Sequence, residues 1–156
     1  MSSPSWAKSA TDDPLPARDP AVDIEERVRY AETDAMGIAH HSNYFVWFEA
    51  GRTEFCRRRG LAYRDIEGSG FFIVVVEASC RYKKPLRYDD RFTVRTVLEE
   101  ATPKKFVFAY EILGPEGAPP LATGRTVHIV LDREGRVSAL PADLLERFAG
   151  PSPSVL

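Results

Sequence analysis

The segment from Asn43 to Arg59 constrains the fold more than any other part of the chain. Its apolar residues recur at steps of three and four positions, which is the pattern of a helix with a broad apolar face. They are Tyr44, Trp47, Phe48, Gly51 and Phe55, and Phe45, Val46 and Ala50 widen the stripe. Ser42 or Asn43 can cap the start of this helix, and Gly60 can end it in a left-handed conformation. A helix so apolar over its first two turns has to be covered by something large.

Five strand-like runs elsewhere in the chain can form that cover. They are rich in β-branched and aromatic residues, and short turn sequences separate the last four of them. The runs are Ile24 to Tyr30, Phe71 to Lys83, Arg91 to Glu99, Lys104 to Leu113 and Leu121 to Asp132. Because short links favour antiparallel pairing, the sequence predicts an α+β fold, with one long central helix wrapped by a curved antiparallel sheet of about five strands. The run from Pro141 to Phe148 predicts a short closing helix.

The length of the chain and the positions of its prolines favour one domain with a tail at each end. A chain of 156 residues is a usual length for a single domain. Residues 1–21 hold four prolines among serine, aspartate and alanine, so we predict a disordered N-terminal tail. Residues 22–149 are the predicted domain, and residues 150–156 are expected to be a flexible C-terminal tail.

Charge and hydropathy exclude several classes of partner. The chain has 21 basic and 23 acidic residues and a net charge of -2, which argues against binding to nucleic acid or to an anionic membrane surface. It contains no run of about 18 apolar residues, and its first 20 residues lack the apolar core of a secretory signal. We therefore expect a cytoplasmic protein with neither nucleic acid nor a membrane as a partner.

Cysteines and histidines show no spacing typical of a metal site or of a nucleophile. Cys56 and Cys80 lie within apolar segments and are expected to be buried thiols rather than a disulfide. His40 is expected to be a solvent-exposed or turn histidine, and His128, which alternates within a strand, a packed or interfacial one. No motif for a metal centre or for a serine or cysteine nucleophile is present, so we expect no metal and no cofactor.

Candidate catalytic residues gather just before the long helix. Asp34 lies in a loop, where most aspartates bond their own backbone, so a purely structural role is open. Gly37 fits a position with positive φ. A carboxylate shortly before a helix N-terminus can also face the free peptide N–H groups there, and such groups stabilise developing negative charge. The peptide N–H of His41, where the loop becomes the helix, is a candidate donor of this kind.

Charged residues farther along the chain support two interpretations each. Glu49 lies among aromatic residues of the helix and is either an ion-pair partner or a second carboxylate near the site. Lysines and arginines cluster at Arg81, Lys83, Lys84 and Arg87, and again at Lys104 and Lys105. They are either solvated strand ends or a small rim that holds phosphate groups, and composition does not choose between the two.

Two long segments together resemble a known family. Residues 28–44, VRYAETDAMGIAHHSNY, followed by residues 48–54, FEAGRTE, resemble the opening signature of hot-dog-fold acyl-CoA thioesterases of the 4-hydroxybenzoyl-CoA thioesterase type. Residues 82–90, YKKPLRYDD, and residues 137–141, VSALP, match further features of that family. The resemblance spans nearly all of the predicted domain. It implies the hot-dog fold and hydrolysis of an acyl or aroyl thioester to a carboxylic acid and free coenzyme A.

The same resemblance implies roles for individual residues. Asp34 matches the catalytic aspartate, acting as nucleophile or as general base, and His41 matches the position whose peptide N–H polarises the thioester carbonyl. The predicted substrate-binding residues are Gly37, Asn43, Tyr44, Glu49, Lys83, Lys84 and Lys104. The arginines that the family has just before Lys104 are replaced here by Thr102 and Pro103. The resemblance also implies a homodimer or homotetramer with active sites between subunits.

Two other functions remain open for a chain of this kind. One is a non-catalytic hot-dog module that binds an acyl thioester as a ligand, for which loss of the loop acid would be the mark. The other is a hydratase or dehydratase, for which we find no motif. The sequence predicts neither the acyl group nor whether coenzyme A or an acyl carrier protein carries it.

Overall fold

A computed structural model describes residues 21–149 of the chain. Apart from Ala21, both predicted tails lie outside the described residues. The strands are β1 Val22–Arg27, β2 Phe72–Tyr82, β3 Arg91–Ala101, β4 Lys105–Gly114 and β5 Gly117–Leu131. The helices are α1 Asn43–Arg58, α2 Tyr63–Gly68 and α3 Ala142–Ala149, and a short 3-10 turn covers Tyr30–Glu32.

The strands form one antiparallel sheet in the order β1-β3-β4-β5-β2. Alternate residues of the central strands point to the helix side, where Phe106, Phe108, Tyr110 and Ile112 of β4 belong to the main apolar core. Both β1 and β2 are edge strands. The predicted α+β architecture, with a long helix on a five-stranded antiparallel sheet, is confirmed.

Helix α1 approaches the sheet closely, because glycine occupies both surfaces at the contact. The ring of Phe48 stacks on that of Tyr110, with centroids 4.4 Å apart and planes 11° apart. A Cβ atom added at Gly124 of β5 would overlap the Phe48 ring, and one added at Gly51 of α1 would overlap the Thr96 hydroxyl. The absence of both Cβ atoms therefore sets the depth at which α1 is buried.

The structure differs from the sequence prediction at three elements. β1 covers Val22–Arg27 rather than Ile24 to Tyr30, because the chain enters a 3-10 turn at Tyr30. β5 begins at Gly117, whereas we predicted a turn through Pro120. β2 pairs with β5 only as far as Ala122, so the first residues of β5 have an open side, where prolines are tolerated. The third difference is α2, which was not predicted because six residues are too few to show a helical period. In residues 21–149, no helix is long and apolar enough to cross a bilayer.

Candidate active site

Asp34 lies at the start of a tight hairpin turn between β1 and α1. Thr33 and Ala39 form an isolated antiparallel bridge, and Asp34 N donates to Ile38 O at 2.9 Å. Gly37 N donates in turn to Asp34 O at 2.9 Å, and Gly37 has φ +79°, a conformation that favours glycine. Gly37 therefore shapes the turn that presents Asp34, and its predicted role in substrate binding stays a prediction.

The two carboxylate oxygens of Asp34 have different surroundings. Oδ1 accepts hydrogen bonds from Met36 N at 2.9 Å and Ile38 N at 3.4 Å, which is the turn-forming role expected of a loop aspartate. Oδ2 accepts no hydrogen bond from any of residues 21–149. The structural and the catalytic interpretations of Asp34 are therefore compatible, because they concern different oxygens.

Glu32 ties this loop to α1, a role that the sequence did not reveal. Its carboxylate accepts Arg29 N at 2.7 Å and the Trp47 indole N–H at 3.0 Å. Its carbonyl accepts His40 N and Asn43 Nδ2, both at 2.8 Å. Asn43 thus anchors the start of the helix to the loop. Ser42 occupies the N-cap position, but its hydroxyl lies 2.8 Å from His40 Nδ1 instead of capping the helix.

Two loops lie side by side across this end of the sheet. Residues 28–42 link β1 to α1, residues 83–90 link β2 to β3, and backbone hydrogen bonds join them at both ends. These bonds are Val28 N to Asp90 O at 3.0 Å, Asp89 N to Val28 O at 2.9 Å and Ala39 N to Leu86 O at 2.7 Å, and Ile38 bridges Arg87. The loop that carries Asp34 is therefore held, before and after Asp34, by the loop between β2 and β3.

The peptide groups of His41 occupy the junction of loop and helix. The His41 carbonyl accepts the Tyr82 hydroxyl at 2.9 Å and Tyr44 N at 3.3 Å. The His41 peptide N–H donates to no acceptor among the described residues. It is therefore available to a ligand, as expected of an oxyanion donor.

A cavity of about 340 Å³ joins these groups. Its lining brings together five of the predicted site residues, Asp34, His41, Tyr44, Lys83 and Lys84. Sequence analysis missed Ile38, Ala39, Tyr82 and Pro85, which also line it. Tyr82 and Pro85 come from the β2 end of the sheet, so only the folded chain places them beside the loop.

Aromatic rings form one wall of the cavity. The rings of Tyr44 and Tyr82 meet edge to face with centroids 4.8 Å apart. Burial raises the pKa of Tyr44 to about 12, and the nearby Cys80 thiol adds to the effect. Burial likewise raises the pKa of Cys80 to about 11, so this thiol is protonated at neutral pH and is a poor nucleophile. The cavity therefore holds one candidate anionic group, the Asp34 carboxylate.

Four of the predicted substrate-binding residues do not line the cavity. Two of them, Gly37 and Asn43, lie in the adjoining loop and helix start, and the other two, Glu49 and Lys104, lie elsewhere. Glu49 is exposed on α1 and is absent from the lining. Lys104 is exposed in the turn between β3 and β4. Its neighbour Lys105 pairs with Ile129, which pairs with Val74. Val74 precedes Tyr82 by eight residues on β2, which is about 25 Å along a strand.

The two remaining histidines have the surroundings expected of them. His40 is exposed in the turn before α1, with its Nδ1 bonded to Ser42. His128 is 1% exposed, and its Nε2 lies 2.8 Å from the Thr126 hydroxyl, which in turn contacts Tyr110. Burial lowers the pKa of His128 to about 3, so the ring is neutral and belongs to the core.

Comparison with known proteins identifies the family. The sequence model of the thioesterase-like superfamily matches residues 28–148. The chain belongs to this superfamily. It is 42% identical over 110 residues to the Bacillus subtilis protein named "Putative acyl-CoA thioesterase YneP", covering 70% of this chain and 79% of that one. It is 29% identical over 122 residues to the Escherichia coli acyl-CoA thioester hydrolase YbgC, covering 78% and 91%.

Solved structures support the same assignment. The DHNA-CoA thioesterase from Staphylococcus aureus superposes with a TM-score of 0.77 at 31% identity, covering 83% of this chain and 89% of that one. The expected membership of the hot-dog thioesterases is confirmed, and with it the class of thioester hydrolase.

Proposed function

We propose that this protein hydrolyses an acyl-CoA thioester to a carboxylic acid and free coenzyme A. One observation carries the proposal: Asp34 and His41 line the same cavity. The described residues form no hydrogen bond with Asp34 Oδ2 or with the His41 peptide N–H. A base or nucleophile and an oxyanion donor are what acyl transfer needs at the two sides of a carbonyl group.

The reaction places the thioester carbonyl between the two groups. If Asp34 acts as a general base, Oδ2 takes a proton from a water molecule whose oxygen bonds to the carbonyl carbon. The His41 N–H and the positive end of α1 stabilise the negative charge that develops on the carbonyl oxygen. The C–S bond then breaks, and the proton passes from Asp34 to the departing thiolate. If Asp34 is the nucleophile, Oδ2 attacks the carbon directly, and the C–S bond breaks to release the coenzyme A thiolate as a mixed anhydride forms. Water then hydrolyses the anhydride to the product acid and the Asp34 carboxyl group, whose proton passes to the thiolate.

The rest of the cavity supports binding of a thioester with a phosphate-bearing carrier. Tyr44 and Tyr82 provide an aromatic wall beside the reacting atoms. Lys83 and Lys84 add positive charge to the lining. Asn43 and Gly37 contribute by fixing the start of α1 and the Asp34 turn.

We propose that the working enzyme is a homodimer or a homotetramer. Edge strand β2 exposes Phe72, Val75 and Val76 at 38%, 45% and 47%, and an open apolar edge of this kind favours pairing with a second copy. Antiparallel pairing of two β2 edges places the Phe72 end of one strand beside the Tyr82 end of the other. Lys104 of the partner subunit would then lie on the cavity side and could contact the nucleotide phosphates. Cys56 and Cys80 form no disulfide in the described part of the chain, which supports the cytoplasm as the compartment.

A panel of acyl-CoA substrates with detection of the released thiol tests this function. We expect turnover of at least one short, long or aromatic acyl-CoA, with kcat/KM in the usual enzyme range of about 10⁴ M⁻¹s⁻¹ or more. The same acyl groups on an acyl carrier protein decide which carrier is preferred. Saturable binding of acyl-CoA without thiol release would instead identify a non-catalytic binding module.

A further inference from the structure

Tyr82 is the residue through which the edge strand touches the start of α1. It is the last residue of β2, and its hydroxyl donates to the His41 carbonyl at 2.9 Å. Its ring meets the Tyr44 ring at 4.8 Å and 88° and the His41 ring at 6.3 Å and 82°. Two edge-to-face contacts and one hydrogen bond therefore fix both the ring and the direction of the hydroxyl.

The hydroxyl acts here as a donor. Partial burial raises the pKa of Tyr82 above its ordinary value, so the phenol keeps its proton across the pH range of a carboxylate-dependent hydrolase. The His41 carbonyl also accepts Tyr44 N at 3.3 Å, within the first turn of α1. One carbonyl thus bonds both to the helix that follows it and to the edge strand.

These bonds fix the peptide groups on both sides of the candidate oxyanion donor. On the N-terminal side, His40 N donates to Glu32 O at 2.8 Å. On the C-terminal side, the His41 carbonyl is held by Tyr82 and Tyr44. The His41 N–H lies between these two attachments, and a donor aimed at a developing charge is effective only when its direction is fixed beforehand.

We propose that Tyr82 is a positioning residue for thioester hydrolysis, which holds the His41 peptide N–H against the carbonyl oxygen through its bond to the His41 carbonyl. The proposal rests on the function proposed above. It assigns to β2 a share in the alignment of the site. Asp34 comes from the loop after β1, whereas the direction of the oxyanion donor depends both on Asn43, which bonds the His40 carbonyl, and on the end of β2. Tyr82 acts on the reaction through His41, so its loss should lower kcat more than it changes substrate binding.

Tyr82→Phe removes the hydroxyl, with its hydrogen bond to the His41 carbonyl and its contact with the Cys80 thiol, and keeps the ring and both aromatic contacts. We expect kcat to fall about 10- to 50-fold, less than the roughly 10²- to 10³-fold loss when an oxyanion donor itself is removed, with KM within about threefold. The midpoint of the acidic limb of the kcat/KM profile should stay that of the wild type, since the base is untouched. The matched control is Tyr88→Phe, whose ring is 56% exposed and lies on Tyr30 outside the cavity lining, and which should keep wild-type kinetics.

A second variant separates the donor from the rest of the side chain. Replacing Tyr82 with 4-aminophenylalanine restores an N–H donor at the same place on the ring. This variant should recover most of the kcat that Tyr82→Phe loses. Wild-type kcat in Tyr82→Phe, a KM that rises as much as kcat falls, or equal impairment of the Phe and aminophenylalanine variants would overturn the positioning role. A wild-type protein that releases no thiol from any acyl thioester would instead remove the proposed function on which the role rests.

Discussion

The carboxylate of Asp34 performs two tasks with its two oxygens. Oδ1 closes the hairpin turn by accepting Met36 N and Ile38 N, and the side chain borders the cavity that also contains His41. An amide at this position keeps an oxygen that accepts the same two bonds and loses the charge and the basicity. Structure and chemistry can therefore be separated at this residue by a single substitution.

Asp34→Asn is expected to lower kcat by about 10²- to 10⁴-fold, the contribution of general-base catalysis, which is roughly 3 to 5 kcal/mol in the barrier. The KM should change little, because the aromatic wall and the basic residues hold the substrate. Thiol release and thermal unfolding measured on the same preparation give both results. Asp132→Asn is the matched control, since Asp132 Oδ1 accepts Glu134 N and Arg136 N in a similar turn, both at 2.9 Å, outside the cavity lining.

Turnover of folded Asp34→Asn within about threefold of the wild type, well below the general-base range, would contradict the catalytic role. The turn would then be the whole contribution of Asp34, and ligand binding without catalysis would be the better interpretation of the cavity.

Among the helices and strands, those with a clear hydrophobic periodicity were the ones that the sequence predicted. Helix α1 and the strands were predictable because three- and four-residue steps and alternation are properties of the local sequence. The start of β5 at Gly117 was not predictable, because a strand tolerates Pro119 and Pro120 only beyond the point where the neighbouring strand stops. The site divides in the same way. Asp34, His41 and Tyr44 lie within eleven positions of one another, whereas Tyr82 reaches them only through the register of β2. Glu32 is near Asp34 in the sequence, but its bond to Trp47 across the loop has no local sequence signal.

Disturbing the contact between α1 and β5 should lower the free energy of unfolding by a measurable amount. Gly124→Ala places a methyl group against the Phe48 ring, which is fully buried and stacked on Tyr110. Overpacking of this kind should destabilise the fold by about 1 to 3 kcal/mol in urea unfolding. Gly68→Ala is the control, because nothing lies within 4 Å of its added Cβ and its φ is not positive. Equal unfolding midpoints for the two variants would show that α1 does not depend on the missing Cβ.

For the whole molecule, the open β2 edge leads to a prediction about assembly. Light scattering at micromolar concentration should give a particle of at least twice the 17.5 kDa subunit mass.

Val76→Glu introduces charge at a side chain that is 47% exposed on this edge, and it should raise the fraction of monomer and reduce turnover together. Val137→Glu, at a position that is 60% exposed outside the β2 edge, is the control and should leave the mass unchanged. A wild-type particle of 17.5 kDa would contradict the proposed oligomer.

The hydrogen bonds that join the loop of Asp34 to the loop between β2 and β3 have a consequence for the energetics of each catalytic cycle. Ala39 N and Leu86 O, 2.7 Å apart, and the bonds between Val28 and residues 89 and 90 form during folding. The conformational entropy of these loops is then lost once in the lifetime of the molecule, and an arriving substrate does not have to order them. Binding energy from the acyl and carrier groups therefore remains for aligning the carbonyl with Asp34 and His41.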